Sequence, residues 1–274
     1  MPFIIAKDNT RIYYNYFHRY SKKPVLVFLH GWGVNWTCFK DEIKFFKDSG
    51  YPVLYMDLRG HGRSDKPNHV NSYSLELMEE DLNFILKKHD IRRIHLVGHS
   101  MGGMIALMFA IKHPTKLKRL VLIDTTYRNP LFSPKVAYLA ELRTFAKIFV
   151  SFILRHSELR KKHFGHIKEI DFSKMKSRTD TYIALKAFIN TPLYSVFATL
   201  QAMFRFDVTK KLKSIKDPAL VIASEQDQFF TTKIEKMLAG KIERSKLQFK
   251  TGTHSIIIKK PKLIAGEIYR FISK

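Results

Sequence analysis

The chain has 274 residues, 45% hydrophobic and 26% charged, with a single cysteine and a formal net charge of +24 at pH 7. That is enough length and apolar content for one buried core carrying one large insertion, and the lone Cys38 excludes an intramolecular disulfide and fits a reducing compartment. The first ten residues lack the basic and long apolar regions of a secretory signal, and Lys147 interrupts the best apolar run, Phe145 to Leu154, short of the ~18 residues a spanning helix needs, so a cytoplasmic location is expected.

In chain order, Phe3–Ala6 and Ile12–Phe17 flank the turn-forming Asp8-Asn9 and read as a leading hairpin. Near-continuous apolar runs follow at Val25–Leu29, Val53–Met56, Ile94–Val97, Leu120–Ile123 and Ala219–Ala223. Runs of that kind belong to strands covered on both faces, as in a parallel sheet. Helices fall between most of them; Leu75, Met78, Leu82, Ile85 and Leu86 make one apolar face, with Ser74 placed to cap it. The strand–helix rhythm stops at Tyr127 and resumes near Ala219, and a final helix opens on Pro261 and runs to Ile272. The fold expected is therefore α/β: a mostly parallel central sheet flanked by helices, with a core of residues 1–126 and 207–274 and a helical cap inserted at 127–206.

The strand Ile94–Val97 runs into Gly98-His99-Ser100-Met101-Gly102-Gly103, and a helix-like run, Met104–Ile111, follows. A serine on so cramped a strand-to-helix turn needs small neighbours, and the turn projects its hydroxyl clear of the sheet. A serine hydroxyl is almost unreactive near neutral pH, so it requires a base, and the base requires a group that holds its tautomer and balances its charge.

This segment resembles the nucleophile elbow of the α/β-hydrolase family, and the resemblance extends over nearly the whole chain. His30-Gly31-Trp32-Gly33 resembles the family's H-G-x-G turn, and Asp57-Leu58-Arg59-Gly60-His61-Gly62-Arg63-Ser64 its D-x-R-G-x-G-x-S loop, which taken alone is expected to be a structural turn. The family's order is Ser, acid, His. Of the histidines after Ser100, His113 lies on the elbow helix and His156, His163 and His166 in the cap, whereas His254 lies beyond the last apolar strand in Thr251-Gly252-Thr253-His254 and matches the family's base. Asp227, in Ser224-Glu225-Gln226-Asp227, matches its acid, with Glu225 and Asp124 as rivals; Ser224 stands where relatives often carry glycine.

The resemblance implies acyl transfer in two steps, with Ser100 as nucleophile and the backbone N–H groups of Trp32 and Met101 as the oxyanion hole. The Trp32 side chain and His99 are expected at the substrate site. No metal or cofactor is expected, since the chain carries neither zinc-spaced ligands nor a G-x-G-x-x-G loop. In the cap, Leu139, Leu142, Phe145, Phe149 and Phe152 or Ile153 fall at helical spacing, with Arg160-Lys161-Lys162 beyond them. With Phe188, Tyr194, Phe197, Phe204 and Phe206 they favour a small hydrophobic ester such as a monoacylglycerol or an aryl or alkyl ester. The same scaffold also serves C–C bond hydrolases, thioesterases, acyltransferases and perhydrolases, or a low-turnover ligand receptor.

The basic excess is spread evenly, at +7, +9 and +8 over residues 1–126, 127–206 and 207–274. No nucleic-acid-binding module accompanies it. A lysine-rich surface without functional role accounts for it, and the partners it would suit are an anionic membrane surface or an acidic carrier protein; the H-G-W-G turn also resembles that of esterases acting on carrier-protein esters.

Overall fold

A computed structural model of the chain describes residues 3–17, 20–130 and 170–274. The first half contains β1 (Phe3–Ile5), β2 (Arg11–Phe17), β3 (Val25–Leu29), α1 (Lys40–Asp48), β4 (Val53–Met56), α2 (Leu75–Lys88), β5 (Ile94–His99), α3 (Met101–Lys112) and β6 (Leu117–Ile123). Among the described residues two helices follow, α4 (Asp180–Asn190) and α5 (Leu193–Phe204), and then β7 (Ala219–Ser224), α6 (Thr232–Lys241), β8 (Ser245–Lys250), the short α7 (Ile256–Lys259) and α8 (Pro261–Ile272).

The leading hairpin forms, with Asn9 in the left-handed region at φ 64° where an asparagine is tolerated. Its second strand also pairs antiparallel with β4, which joins the hairpin to the main sheet. The eight strands lie in the order β1-β2-β4-β3-β5-β6-β7-β8, and every pairing from β4 to β8 is parallel.

Helices cover both faces, which is why the strands read as unbroken apolar runs. In β3, Val25, Val27 and Leu29 pack with α2, α3 and α6, while Leu26 and Phe28 point the other way among residues of α1 and α8. The α2 stripe is buried as its spacing requires, and Ser74 caps the helix by accepting from the Leu77 N–H at 3.1 Å.

Two sequence expectations need correction. The sheet does not end at β7: Ser245–Lys250 forms β8 beside it. Its Lys-Leu-Gln-Phe-Lys alternation, half exposed along its length, lacks the apolar run because an edge strand is covered less and is protected by charge. The elbow helix also begins earlier than Met104, directly after the serine, at Met101.

The chain leaves and re-enters the sheet layer at one place, where Arg128 bridges antiparallel to Asp207 and the Val208 N–H donates to the Tyr127 carbonyl at 3.0 Å. Between those points the described residues 170–206 are helical or irregular. The amphipathic run Leu139 to Ile153 and the basic Arg160–Lys162 lie outside the described residues. Among the described residues no single helix is long and apolar enough to cross a membrane.

Candidate active site

β5 ends at His99 and α3 begins at Met101, so the whole reversal is made by Ser100, held at φ 54° and ψ −120°. A side chain rarely adopts that conformation, and the surroundings enforce it. The Ser100 N–H donates to the Ile123 carbonyl at 3.0 Å, and the Thr125 hydroxyl donates to the Ser100 carbonyl at 2.7 Å. Glycine is required on both sides: a Cβ on Gly98 would lie 2.4 Å from the Gly102 carbonyl oxygen, and one on Gly102 would lie 2.2 Å from that of Leu29.

The hydroxyl so presented meets His254, whose Nε2 lies 3.0 Å from Ser100 Oγ, while its Nδ1 lies 2.8 Å from Asp227 Oδ2. Asp227 is buried, and its Oδ1 accepts from the amides of Phe229 and Phe230 at 2.6 and 3.0 Å. Burial pushes the Asp227 carboxyl up, but the facing imidazole and those two amides hold it below the usual carboxylate range. Burial pulls the His254 ring down, yet the adjoining Asp227 carboxylate outweighs it and leaves the ring above its ordinary value. The ion-paired carboxylate therefore fixes Nδ1 as a donor and leaves Nε2 facing the serine.

Neither rival acid takes that position. Glu225 Oε2 accepts from the Thr251 hydroxyl at 2.9 Å at the surface. Asp124, at the end of β6, accepts from the Ser224 amide at 2.7 Å and from the Ser224 hydroxyl at 2.8 Å. Burial and the neighbouring Asp227 charge push the Asp124 carboxyl up to about 8, so it sits behind the array as a neutral acid near pH 7. Ser224, standing where a glycine was the expected residue, thus has a partner of its own.

His99 lines the cavity as expected, but its Nε2 donates to the His254 carbonyl at 2.9 Å, so it holds the loop that carries His254. Burial and the facing His254 push the ring down to about 3, and it is neutral. Donor atoms of His99, Asp124 and His254 lie within 4.8 Å of one another. Both His254 nitrogens and both Asp124 oxygens are already engaged, which leaves His99 Nδ1 as the one ring nitrogen of this set without a partner among the described residues. His113 bonds Glu79 at 2.7 Å and faces α2, away from the serine, and His156, His163 and His166 lie outside the described residues.

The H-G-x-G turn lies against the elbow, since a Cβ on Gly31 would come within 3.2 Å of Ser100 Cβ. His30 ties this turn to the Asp57 loop: its Nδ1–H donates to the Gly31 carbonyl at 2.7 Å and its Nε2 accepts from the Leu58 amide at 2.9 Å. The Asp57 loop itself is structural. Asp57 accepts from the amides of Trp36 and Arg63 at 2.8 and 2.9 Å, and Arg59 is buried in a bidentate pair with Asp81 at 2.8 and 2.7 Å. Met101 opens α3, at the helix end where the first amides have no intrahelical acceptor. Trp32 lines the cavity, and its Nε1–H reaches the Val196 carbonyl and Thr199 Oγ1 on α5, each at 3.0 Å.

Above Ser100 is a cavity of about 750 Å³, walled by Ile183, Ala187 and Phe188 of α4 and by Val196, Leu200 and Phe204 of α5. Of the other aromatics singled out in the sequence between residues 127 and 206, Phe197 packs edge-on against Phe188, Tyr194 lies edge-on against Tyr73, and Phe206 belongs to the core. Sequence reasoning missed Thr125 and, at the polar end of the cavity, Gln228 and Asp180; the only local signal was the helix start at Thr179-Asp180.

A parallel sheet with a strained serine at a strand-to-helix turn, facing a buried histidine–aspartate pair, defines an α/β protein with a nucleophile elbow. The chain belongs to the α/β hydrolase fold family, whose model matches residues 24–261. It is similar to epoxide hydrolase 3 of Xenopus tropicalis, at 26% identity over 76% of this chain and 60% of that protein, and to the AB hydrolase superfamily protein YisY of Bacillus subtilis, at 25% identity over 90% of each. The chain spans less than two thirds of the length of the epoxide hydrolases it matches, 60% for the frog protein and 41% for mouse epoxide hydrolase 4. Among solved structures, the enol-lactonase of Burkholderia xenovorans has the same fold, with a TM-score of 0.79 over 100% of both chains at 21% identity.

Proposed function

We propose that this chain is a serine hydrolase that cleaves hydrophobic carboxylic esters, lactones included, through an acyl-enzyme. The observation that carries this reading is the continuous array from Ser100 Oγ through His254 to Asp227, at 3.0 and 2.8 Å. His254 takes the hydroxyl proton as Oγ attacks the carbonyl, and Asp227 stabilises the imidazolium that forms. The amides of Met101 and Trp32 hold the oxyanion. His254 then returns the proton to the departing alcohol, and a water repeats the sequence to release the acid.

The serine argues against epoxide opening, the activity in the name of the frog relative. An alkoxide that opened an epoxide would leave an ether on Ser100, with no carbonyl for water to attack and hence no turnover. An acyl group on the same oxygen has that carbonyl. The apolar walls of α4 and α5 favour an aryl or alkyl acyl group over a sugar or peptide. The roof they form belongs, on this reading, to a cap inserted at 127–206 between two core segments, supported by the adjacency of Tyr127 and Val208.

A hydrolysis screen across acyl lengths and bond types, with Ser100→Ala as control, tests this. The variant is expected to lose labelling by a fluorophosphonate and about six orders of magnitude in kcat, the scale seen when an interdependent triad is broken. Full activity in Ser100→Ala would overturn the mechanism. In the same screen, salt should leave a neutral soluble ester unaffected; if the +24 charge serves anionic vesicles or an acidic carrier, those targets alone respond.

A further inference from the structure

One carboxylate outside the Ser100–His254–Asp227 array reaches both loops that carry its acid and its base. Asp180 opens α4, just after Thr179, whose hydroxyl caps the helix by accepting from the Tyr182 amide at 3.2 Å. Asp180 Oδ1 accepts from the Thr253 hydroxyl at 2.9 Å and pairs with Lys259 Nζ at 3.0 Å, and Oδ2 accepts from Gln228 Nε2 at 3.2 Å. Ser255 is a further hydrogen-bond partner. Thr253 and Ser255 are the two neighbours of His254 in the chain, and Gln228 follows Asp227.

The opposite end of the same helix rests on the third loop. Ala187 packs where a Cβ on Gly33 would come within 3.1 Å of it, and the Thr191 hydroxyl, just past the helix, donates to the Gly33 carbonyl at 3.0 Å. A single helix therefore touches the acid loop, the base loop and the H-G-x-G turn. The base loop is gripped from two sides, by His99 at the His254 carbonyl and by Asp180 at Thr253.

We propose that Asp180 is a positioning residue: from the first turn of α4 it clamps the Asp227 and His254 loops to the roof. Seating of α4 over the cavity and alignment of His254 between Ser100 and Asp227 are then one event. The inference rests on His254 being the base, as proposed above. The carboxylate suits this place because a helix N-terminus favours negative charge. Burial pushes its pKa up, but Lys259 and the hydroxyl and amide donors around it outweigh that and keep it below the ordinary value.

The bland alternative is an ordinary surface ion pair between Asp180 and Lys259, which contributes little wherever it sits. Variants separate the two. With a short-chain p-nitrophenyl ester, Asp180→Ala is expected to lower kcat by about tenfold to a hundredfold, the cost of a small misplacement of reacting groups, while KM stays nearly constant. The rate of fluorophosphonate labelling of Ser100 should fall in parallel. Lys259→Met removes the ion pair but leaves the Thr253 and Gln228 bonds, and should retain kcat within about twofold.

Asp180→Asn keeps an acceptor for Thr253 and discards the charge. The groups that set the His254 titration are Asp227, Asp124, Asp180 and His99, with Lys259 beside Asp180. Losing the Asp180 charge, and leaving Lys259 unpaired, both disfavour the imidazolium, so the acid limb of kcat/KM should move to lower pH. Asp180→Glu, which restores the charge, should return the limb towards wild type, a response that loosened packing would not give. If Asp180→Ala does not fold by thermal unfolding, Asp180→Asn decides the matter through the same readings. Wild-type kcat, labelling rate and pH limb in the folded Asp180 variants would overturn the proposal. An active Ser100→Ala would instead overturn the reading beneath it, and the two failures are distinct.

Discussion

The floor and the roof of the cavity are held by different forces. On the floor, Gly98 and Gly102 lie against backbone and Gly103 against the Thr125 side chain, none with space for a Cβ, and Ser100 is kept at φ 54° by strand β6 and Thr125. The roof is attached through side-chain hydrogen bonds, from Trp32 to Val196 and Thr199, from Thr191 to Gly33, and between the hydroxyls of Tyr73 and Ser195. Close packing locates atoms to tenths of an ångström, whereas a single hydrogen bond, traded against bonds to water, contributes a net of about 1 kcal/mol. On the function proposed above, the chemistry sits on the floor and the roof sets the range of acyl groups accepted.

The sharpest way to break the contrast is at the floor. Gly102→Ala places a methyl 2.2 Å from the Leu29 carbonyl oxygen, and the strand or the helix has to shift. A loss of about 3 kcal/mol or more is expected, read as a lower urea midpoint together with lost fluorophosphonate labelling. An unchanged midpoint would show that the elbow has slack and that the contrast is wrong.

A smaller effect is expected at Asp124, the buried neutral acid of the floor. Its folded pKa, raised by burial and by Asp227 to about 8, lies above the value near 3.9 of an unfolded aspartate. The sign follows: its stabilising contribution is complete below about pH 4 and is lost as pH rises through about 8. Asp124→Asn keeps the geometry towards Ser224 without the titration. Its thermal midpoint should gain on wild type as pH rises from about 5 to about 9, and a gap independent of pH would mean that Asp124 is ionised throughout.

The smallest change belongs to the roof. Trp32→Phe keeps an aromatic wall and the main-chain amide but removes both bonds to α5. A roof held this way should loosen by about 1 kcal/mol, raising KM for long-chain esters about fivefold with kcat for short ones unchanged. Equal effects on both chain lengths would place Trp32 with the floor.

Much of the floor was legible because its signals are local. The elbow is six consecutive residues between a strand and a helix, and each buried strand carries a near-continuous apolar run of four or five residues with a helix on either face. Strand β8 was not legible, since an edge strand of Ser245-Lys246-Leu247-Gln248-Phe249-Lys250 carries the polarity of a loop. His99 was read as a substrate contact from its place beside Ser100, yet its partner is a carbonyl 155 residues further along the chain.

By itself the sequence determined the strand–helix alternation, the serine on its strained turn, and a histidine and carboxylates in the right chain order behind it. These follow from hydrophobic period and from glycine at positions where nothing larger fits, properties of residues close in sequence. Tertiary structure alone decided which carboxylate serves His254. Glu225, Asp124 and Asp227 all follow strand ends, and only side-chain reach and burial separate a surface bond to Thr251, a neutral acid on Ser224 and an ion pair with the ring. It also decided that Asp180, 73 residues before Thr253, meets the loops that carry Asp227 and His254. Hydrogen bonds between side chains so far apart depend on the path of the whole chain, and no local pattern of residues encodes them.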